Sequence, residues 1–402
     1  MTIRIVQIAV IKDWLPDLDA VNTSAKPDTV TKLSLKTDIA LYNQNKDEAT
    51  PERTDFTQME LWMEFKTSSK GAAFRDPSDD TDFQHFIEDG SFTPDTDEGK
   101  ETRGQLACYA GAHHGLQFRH FSFSIVVHGE YARFLRWDPS GTVVTAAFNY
   151  LTKPELMADF LWRFNHLSPK ERGHDISIQP AELSTEDVAY VREILEQDGG
   201  VPLYRYEVPG LIGRGYAYGP RPASENWSLV SRCTRNLPVV WIPSEDTNKG
   251  TESCAGLNPE SPSKDDTDQS IGGDTVKEDP WSERRHAYMK DTWRFLSDSP
   301  DVEVLPEHKI YEILRKHGTP NIPEHVTGDD VEGGQTRTPE FLEAVWLCVR
   351  PRISSYQHYR HLNSIVGRAL TSFGCTKQLV AIVLDAVRGT FTATACKPYT
   401  DL

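Results

Sequence analysis

The chain has 402 residues, a hydrophobic share of 38%, a charged share of 26% and a formal net charge of −17. That length can hold two domains with cores of their own. With no apolar run of about 18 residues, the sequence excludes a membrane-spanning helix. The charge is concentrated, with ten acids and one lysine in residues 76–101 and ten acids and three lysines in residues 244–282. The remainder is nearly neutral and offers no basic field for nucleic acid or an anionic membrane.

The six cysteines, at 108, 233, 254, 348, 375 and 396, share no paired spacing. They predict neither a cysteine zinc site nor a disulfide framework. They read as small buried hydrophobes of a reducing, intracellular compartment, cytoplasm or nucleus. Residues 5–11 are apolar but lack a small-residue cleavage site, so no secretory signal is expected.

Residues 1–30 hold a strand-like stretch at 3–11, and Pro16 and Pro27 exclude one long helix there. Strands are predicted at 36–42 and 61–67. Their alternation puts Glu64 and Lys66 on one face, opposite Met63 and Phe65. A helix over 99–116 follows, with Gln105 and Tyr109 four residues apart on one side. Its adjacent His113 and His114 point about 100° apart and do not share a metal; they read as solvent-facing or packing residues. Three strands follow at 121–127, 131–137 and 142–148, with turns at 128–130 and 138–141. An amphipathic helix spans 153–168, and a second, over 184–197, opens on the Ser184-Thr185-Glu186-Asp187 cap. It closes at Asp198-Gly199-Gly200.

Asp38, the Glu64-Phe65-Lys66 run and the Gln105/Tyr109 pair resemble the core of the PD-(D/E)XK nuclease superfamily, in the branch with a glutamine-tyrosine helix. The resemblance implies a domain over 30–200 in which Asp38 and Glu64 hold a divalent metal. Lys66 would orient a water, and Gln105 and Tyr109 would brace the substrate. The plainer reading is a solvated Glu64–Lys66 pair on a strand. The acidic stretch at 76–101 makes nucleic acid an unfavoured partner.

Further on, the glycine run at 210–219 reads as a connector. Strands are predicted at 228–235 and 237–242, joined by a glycine-free turn at 232–236. Residues 244–282 have the composition of a disordered acidic insert. Lys290 ends a short apolar run, and from Glu307 the residues Ile310, Tyr311 and Leu314 recur at helical spacing. Glu307 stands at the start of that helix, where a carboxylate suits the dipole. Residues 324–340 read as an acidic, glycine-bearing loop, and 341–350 as a helix or strand. Residues 375–387 read as an amphipathic helix with Leu379, Val380, Val383, Leu384 and Val387 facing inward.

The run Met289-Lys290-Asp291-Thr292-Trp293-Arg294, with Glu307 and the turn Gly318-Thr319-Pro320-Asn321-Ile322-Pro323, resembles the fungal-type protein kinase family. Ser231-Arg232-Cys233-Thr234-Arg235, His358-Tyr359-Arg360, Gly367-Arg368-Ala369-Leu370-Thr371-Ser372-Phe373 and Asp385-Ala386-Val387 extend that resemblance. It implies an α+β architecture: the N-terminal α/β nuclease-like domain, then a kinase-like N-lobe and an incomplete C-lobe over 206–402. Lys290 would grip nucleotide phosphates and Glu307 would hold Lys290 in place, with a hinge near 356–370. The implied activity is serine/threonine phosphorylation with ATP and Mg2+, on a protein substrate that the sequence does not identify. The glycine-free turn departs from the family's phosphate loop. No His-Arg-Asp or Asp-Phe-Gly triplet occurs in the chain, and the β-branched 389–395 suits a helix poorly. The expectation is a family member cut short before its catalytic loop and without kinase turnover. The alternatives are a metal-dependent phosphodiesterase in the first domain and a non-catalytic binding protein.

Overall fold

The computed structural model describes residues 14–44, 49–67, 71–76, 92–222, 228–244, 283–297, 304–342, 353–364, 366–367 and 370–394. The stretch predicted at 3–11, nearly all of the acidic insert and most of 341–350 lie outside the described residues. Within them the chain builds two seven-stranded sheets with helices on their faces, a mixed α+β architecture.

In the first sheet β1 (Leu18–Asn22), β2 (Ile39–Asn43), β3 (Met59–Lys66), β4 (Ser122–His128), β5 (Tyr131–Asp138) and β6 (Gly141–Val144) lie side by side in chain order, and β7 (Phe148–Asn149) also pairs with β5. Every pairing is antiparallel except β3 with β4, which run parallel. The long connection this requires is α1 (Asp97–Leu116). That helix begins where the Thr96 side chain accepts from the Gly99 N–H, with Asp97 and Glu98 in the first turn. Strand alternation then divides the core. Leu61 and Met63 pack with Met157, Leu161 and Phe164 of α2 (Pro154–His166). Trp62 packs with Leu106, Tyr109 and Ala110 of α1. Each such buried side chain stabilises the fold by about 1.5–3 kcal/mol, so the sheet is held between two helical layers.

The second sheet contains β8 (Ile178–Pro180), β9 (Leu203–Tyr206), β10 (Gly215–Pro220), β11 (Arg235–Pro243), β12 (Arg285–Leu296), β13 (His325–Gln335) and β14 (Ser355–Asn363). Their spatial order is 13-14-12-11-10-9-8, all antiparallel. One face carries α3 (Thr185–Ile194), whose Val191 packs on Tyr218 and Val240. The other face buries Ala217, Trp241, Met289 and Leu362, against which Phe118 of the preceding chain packs. The α4 helix (Glu307–Lys316) leads from β12 to β13, and α5 (Thr376–Thr394) follows β14.

Several expectations are corrected here. Residues 178–180, which fall within the stretch 30–200, form β8 of the second sheet, paired with β9. The glycine connector contains β10, and the two strands expected at 228–242 are the single strand β11. Ser231 and Cys233 sit at φ 89° and 41°, a left-handed backbone that cannot continue a strand. The acidic loop at 324–340 is β13. Its glycines allow contact: a Cβ at Gly328 would stand 2.1 Å from the Cβ of His361, and one at Gly334 2.5 Å from that of His358. The segment from 356 expected at the hinge is β14, inside the sheet. The inward face expected of α5 lies at the surface, with Val380 61% and Val383 48% exposed, and the helix runs on to Thr394 through its β-branched residues. Cys108 and Cys375 are exposed rather than buried. No helix among the described residues is long and apolar enough to cross a membrane.

The two sheets are tied together by polar contacts. Asp138 is wholly buried, and its Oδ2 accepts from the backbone N–H of Arg337 at 2.9 Å and of Thr338 at 3.0 Å. Arg235 donates to the carbonyl of His114 at 2.6 Å.

Candidate functional site

Lys290 lies in the middle of β12, paired across to Asn236 on β11 and to His361 on β14. Alternation sends Lys290, Thr292 and Arg294 to the face that carries α4, while Met289, Asp291 and Trp293 face the first unit. Glu307 opens α4 just after Pro306. Lys290 Nζ donates to Glu307 Oε2 at 2.6 Å, and both side chains are about one-fifth exposed. Tyr311 donates to Glu307 Oε1 at 3.4 Å, and a guanidinium nitrogen of Arg232 stands 3.7 Å from Oε2. Burial pushes the Glu307 carboxyl up, but the hydrogen bond and charge of Lys290, with help from His361 and Arg232, bring it below its ordinary value. Burial outweighs the Glu307 charge at His361 and pushes that imidazole down to about 4. Near neutral pH His361 therefore adds no cation beside Lys290.

This pair lines a cleft of about 470 Å3, with Arg232, Arg294, Phe295, Ile310 and Leu314 among its walls. Arg294 is held by both carboxylate oxygens of Asp330 at 2.6 Å. Among the described wall residues, the remaining positive charge therefore comes from Lys290 and Arg232 against Glu307. The cleft suits an anionic ligand with an apolar portion, and the net cation left after the Glu307 pairing is what phosphate recognition needs. Among the described residues Glu307 is the one carboxylate in this wall and is already paired, so of these none is left over for Mg2+.

The second constellation sits between β3 and α1. Lys66 Nζ donates to Glu64 Oε1 at 2.8 Å and to Gln105 Oε1 at 2.5 Å. Gln105 Nε2 donates to Tyr109 OH at 2.5 Å, and Tyr109 OH donates to the carbonyl of Lys36. Asp38 Oδ2 accepts from the Phe65 N–H at 2.8 Å, which fixes it to the back of β3. Glu64 is 4% exposed, and its Oε2 is buried without a hydrogen-bond partner. Burial, with the Asp38 charge, pushes the Glu64 carboxyl up to about 7 against the pull of Lys66 and Gln105. An orphaned buried carboxylate oxygen beside a second carboxylate charge fits a hard divalent cation. A cavity of about 240 Å3 opens next to Lys66, lined also by Thr102, His128 and Arg133.

The structure thus joins Lys290 to Glu307, and Glu64, Lys66, Gln105 and Tyr109 to one another, with Asp38 acting on Glu64 through its charge. His113 and His114 are packing residues: His113 Nε2 bonds the Met59 carbonyl and His114 Nε2 the Ser122 hydroxyl, both at 2.8 Å. Sequence reasoning passed over Arg232 as a wall of the cleft. It falls in a predicted turn, and its approach to Glu307 depends on the left-handed residues on either side of it. No family model matches the chain, and comparison with curated proteins and with solved structures returned no match.

Proposed function

We propose that the second unit is a protein kinase-like lobe that binds nucleotide phosphates, with Lys290 as the phosphate-gripping ammonium and Glu307 as its anchor. The observation that carries this is the 2.6 Å pairing of a mid-strand lysine with the first residue of the following helix, on the wall of an open cleft. Bound ATP with Mg2+ would bring the transferable phosphoryl group. The chain's own part is to hold Lys290 extended, neutralise phosphate charge with Lys290 and Arg232, and shelter an apolar ring against Phe295, Ile310 and Leu314. Phosphoryl transfer depends on positioning plus a base and metal ligands. These 402 residues contain no His-Arg-Asp or Asp-Phe-Gly triplet, so the proposal covers binding and not turnover. Calorimetric titration with Mg-ATP tests it. Lys290→Ala should abolish or greatly weaken binding, and Glu307→Gln should weaken it. Undiminished binding by Lys290→Ala overturns the reading.

A second reading rests on Glu64 Oε2. We propose that Asp38 and Glu64 could be completed by Mg2+ or Mn2+, with Lys66 orienting a water and Gln105 and Tyr109 bracing a phosphodiester. The same orphaned oxygen supports it. Metal-dependent hydrolysis of bis(p-nitrophenyl) phosphate that disappears in Glu64→Gln is the expected result. Hydrolysis that survives in Glu64→Gln, or none with either metal, removes it.

A further inference from the structure

Where the two units face each other, three side chains from distant parts of the chain converge. His120 comes from the segment between α1 and β4, Asp175 from the loop before β8, and His358 from β14. His120 Nε2 is 3.1 Å from His358 Nδ1 and 3.6 Å from Asp175 Oδ2, and His358 Nδ1 is 3.8 Å from the same oxygen. A tetrahedral zinc ion bound at about 2.1 Å sets its ligand atoms about 3.4 Å apart. The point equidistant from these three atoms lies about 2.0 Å from each, a zinc–ligand bond length.

The supports behind these atoms are also those of a metal site. His358 Nε2 is bonded to the Asp291 carboxylate. That holds the ring proton on Nε2 and leaves the Nδ1 lone pair aimed at His120 and Asp175. Asp175 Oδ1 accepts from the Ser177 N–H at 3.0 Å and hydroxyl at 2.5 Å, and Oδ2 from Arg360 at 3.0 Å. Asp175 and His358 are 5% and 4% exposed. The three line a cavity of about 20 Å3 that Trp293 and Cys233 help to close, room for one ion or water.

We propose that His120 Nε2, His358 Nδ1 and Asp175 Oδ2 form a zinc site that latches the two units together, with a water in the fourth position. Binding requires that His120 carry its proton on Nδ1 and that Asp175 Oδ2 take the ion while still accepting from Arg360, in a cavity that Arg119 and Arg235 also line. The competing arrangement is a proton shared between the two imidazoles with no ion. Three protein ligands and a water are also the pattern of catalytic zinc, but the cavity admits no substrate. The role is therefore structural.

The test uses the full chain, stripped with a chelator, returned to Zn2+ and assayed by mass spectrometry for bound metal. Competition with a chromophoric chelator gives the affinity. One zinc per chain is expected. His120→Gln and Asp175→Asn should fall to background, and Asp291→Asn should keep the stoichiometry with about 10–100-fold weaker affinity. A wild-type chain without zinc above background overturns the proposal, as does His120→Gln binding as tightly as the wild type. Should a variant fail to fold, the wild type decides alone: zinc should raise its unfolding temperature and the chelator should reverse the rise. A midpoint indifferent to both rejects the site.

Discussion

Glu64→Gln should make the protein more stable at pH 8 and leave that advantage absent near pH 4.5. The native environment pushes the Glu64 carboxyl from its ordinary 4.5 up to about 7. Below 4.5 the folded and unfolded chains both hold the proton, and the group contributes nothing to pH dependence. Between 4.5 and 7 the unfolded chain has released the proton while the folded one keeps it. Stability then falls by about 1.4 kcal/mol for each pH unit. Above 7 both forms are ionised and the loss stays constant at about 3 kcal/mol. Glutamine keeps the side chain's shape and an oxygen for Lys66 but carries no charge to desolvate, so it escapes the loss. Urea denaturation of wild type and variant across pH 4.5–8 measures the difference. Adding Mg2+ at pH 8 should restore stability to the wild type alone, because a cation favours the ionised carboxylate. A wild-type-to-variant gap that does not change with pH would refute the reasoning, since it would mean Glu64 is ionised throughout.

Three other changes probe the frame around the sites. Gly328→Ala drives a methyl to 2.1 Å from the Cβ of His361 and 2.7 Å from its Cα. It should lower the unfolding free energy by about 1–3 kcal/mol, whereas Gly104→Ala, at an exposed position of α1 with nothing within 4 Å, should stabilise by about 0.5–1 kcal/mol. Asp138→Ala strands Arg136 and the N–H groups of Arg337 and Thr338. A loss of about 3–5 kcal/mol is expected by urea denaturation. Lys290→Ala removes the 2.6 Å hydrogen bond to Glu307 and leaves that carboxylate with Arg232 at 3.7 Å; it should cost about 1.5–3 kcal/mol in the same assay.

What could be read from the chain is what short-range geometry controls. Gln105 and Tyr109 meet because they are one helical turn apart, and Glu64 and Lys66 share a face because strands alternate. Lys290 and Glu307 met because a strand and the helix after it are neighbours both in sequence and in space. The misses have the opposite character. Gly328 and Gly334 resemble loop residues in composition, and their need for close backbone approach appears only when β14 lies alongside. The inward face expected of α5 was a matter of partners, which periodicity cannot supply. His120, Asp175 and His358 are 55 and 183 residues apart along the chain, so only the docking of the two sheets brings them together.

The two constellations of the second unit are not independent, because neighbouring residues of one strand serve both. On β12 Lys290 reaches the cleft and Asp291 the buried junction with the first unit. A slip of one residue in the β12–β14 register would exchange the two, burying the ammonium against His358 and turning the carboxylate to the cleft. Asp291 resists that slip. Burial pushes its carboxyl up, but His358 and Arg360 bring it far below the ordinary range, and His358 Nε2 keeps its bond to that carboxylate only with Asp291 on the junction side. The register that gives Lys290 to Glu307 is therefore fixed from the opposite face of the sheet. On this argument Asp291→Leu, which removes the charge while keeping bulk, should weaken nucleotide binding at Lys290 even though residue 291 never faces the cleft. Titration of Asp291→Leu with Mg-ATP, on a variant shown by circular dichroism to keep its strands, measures the effect. Wild-type affinity in that variant would separate the two faces and leave the Lys290–Glu307 pairing to be explained by α4 alone.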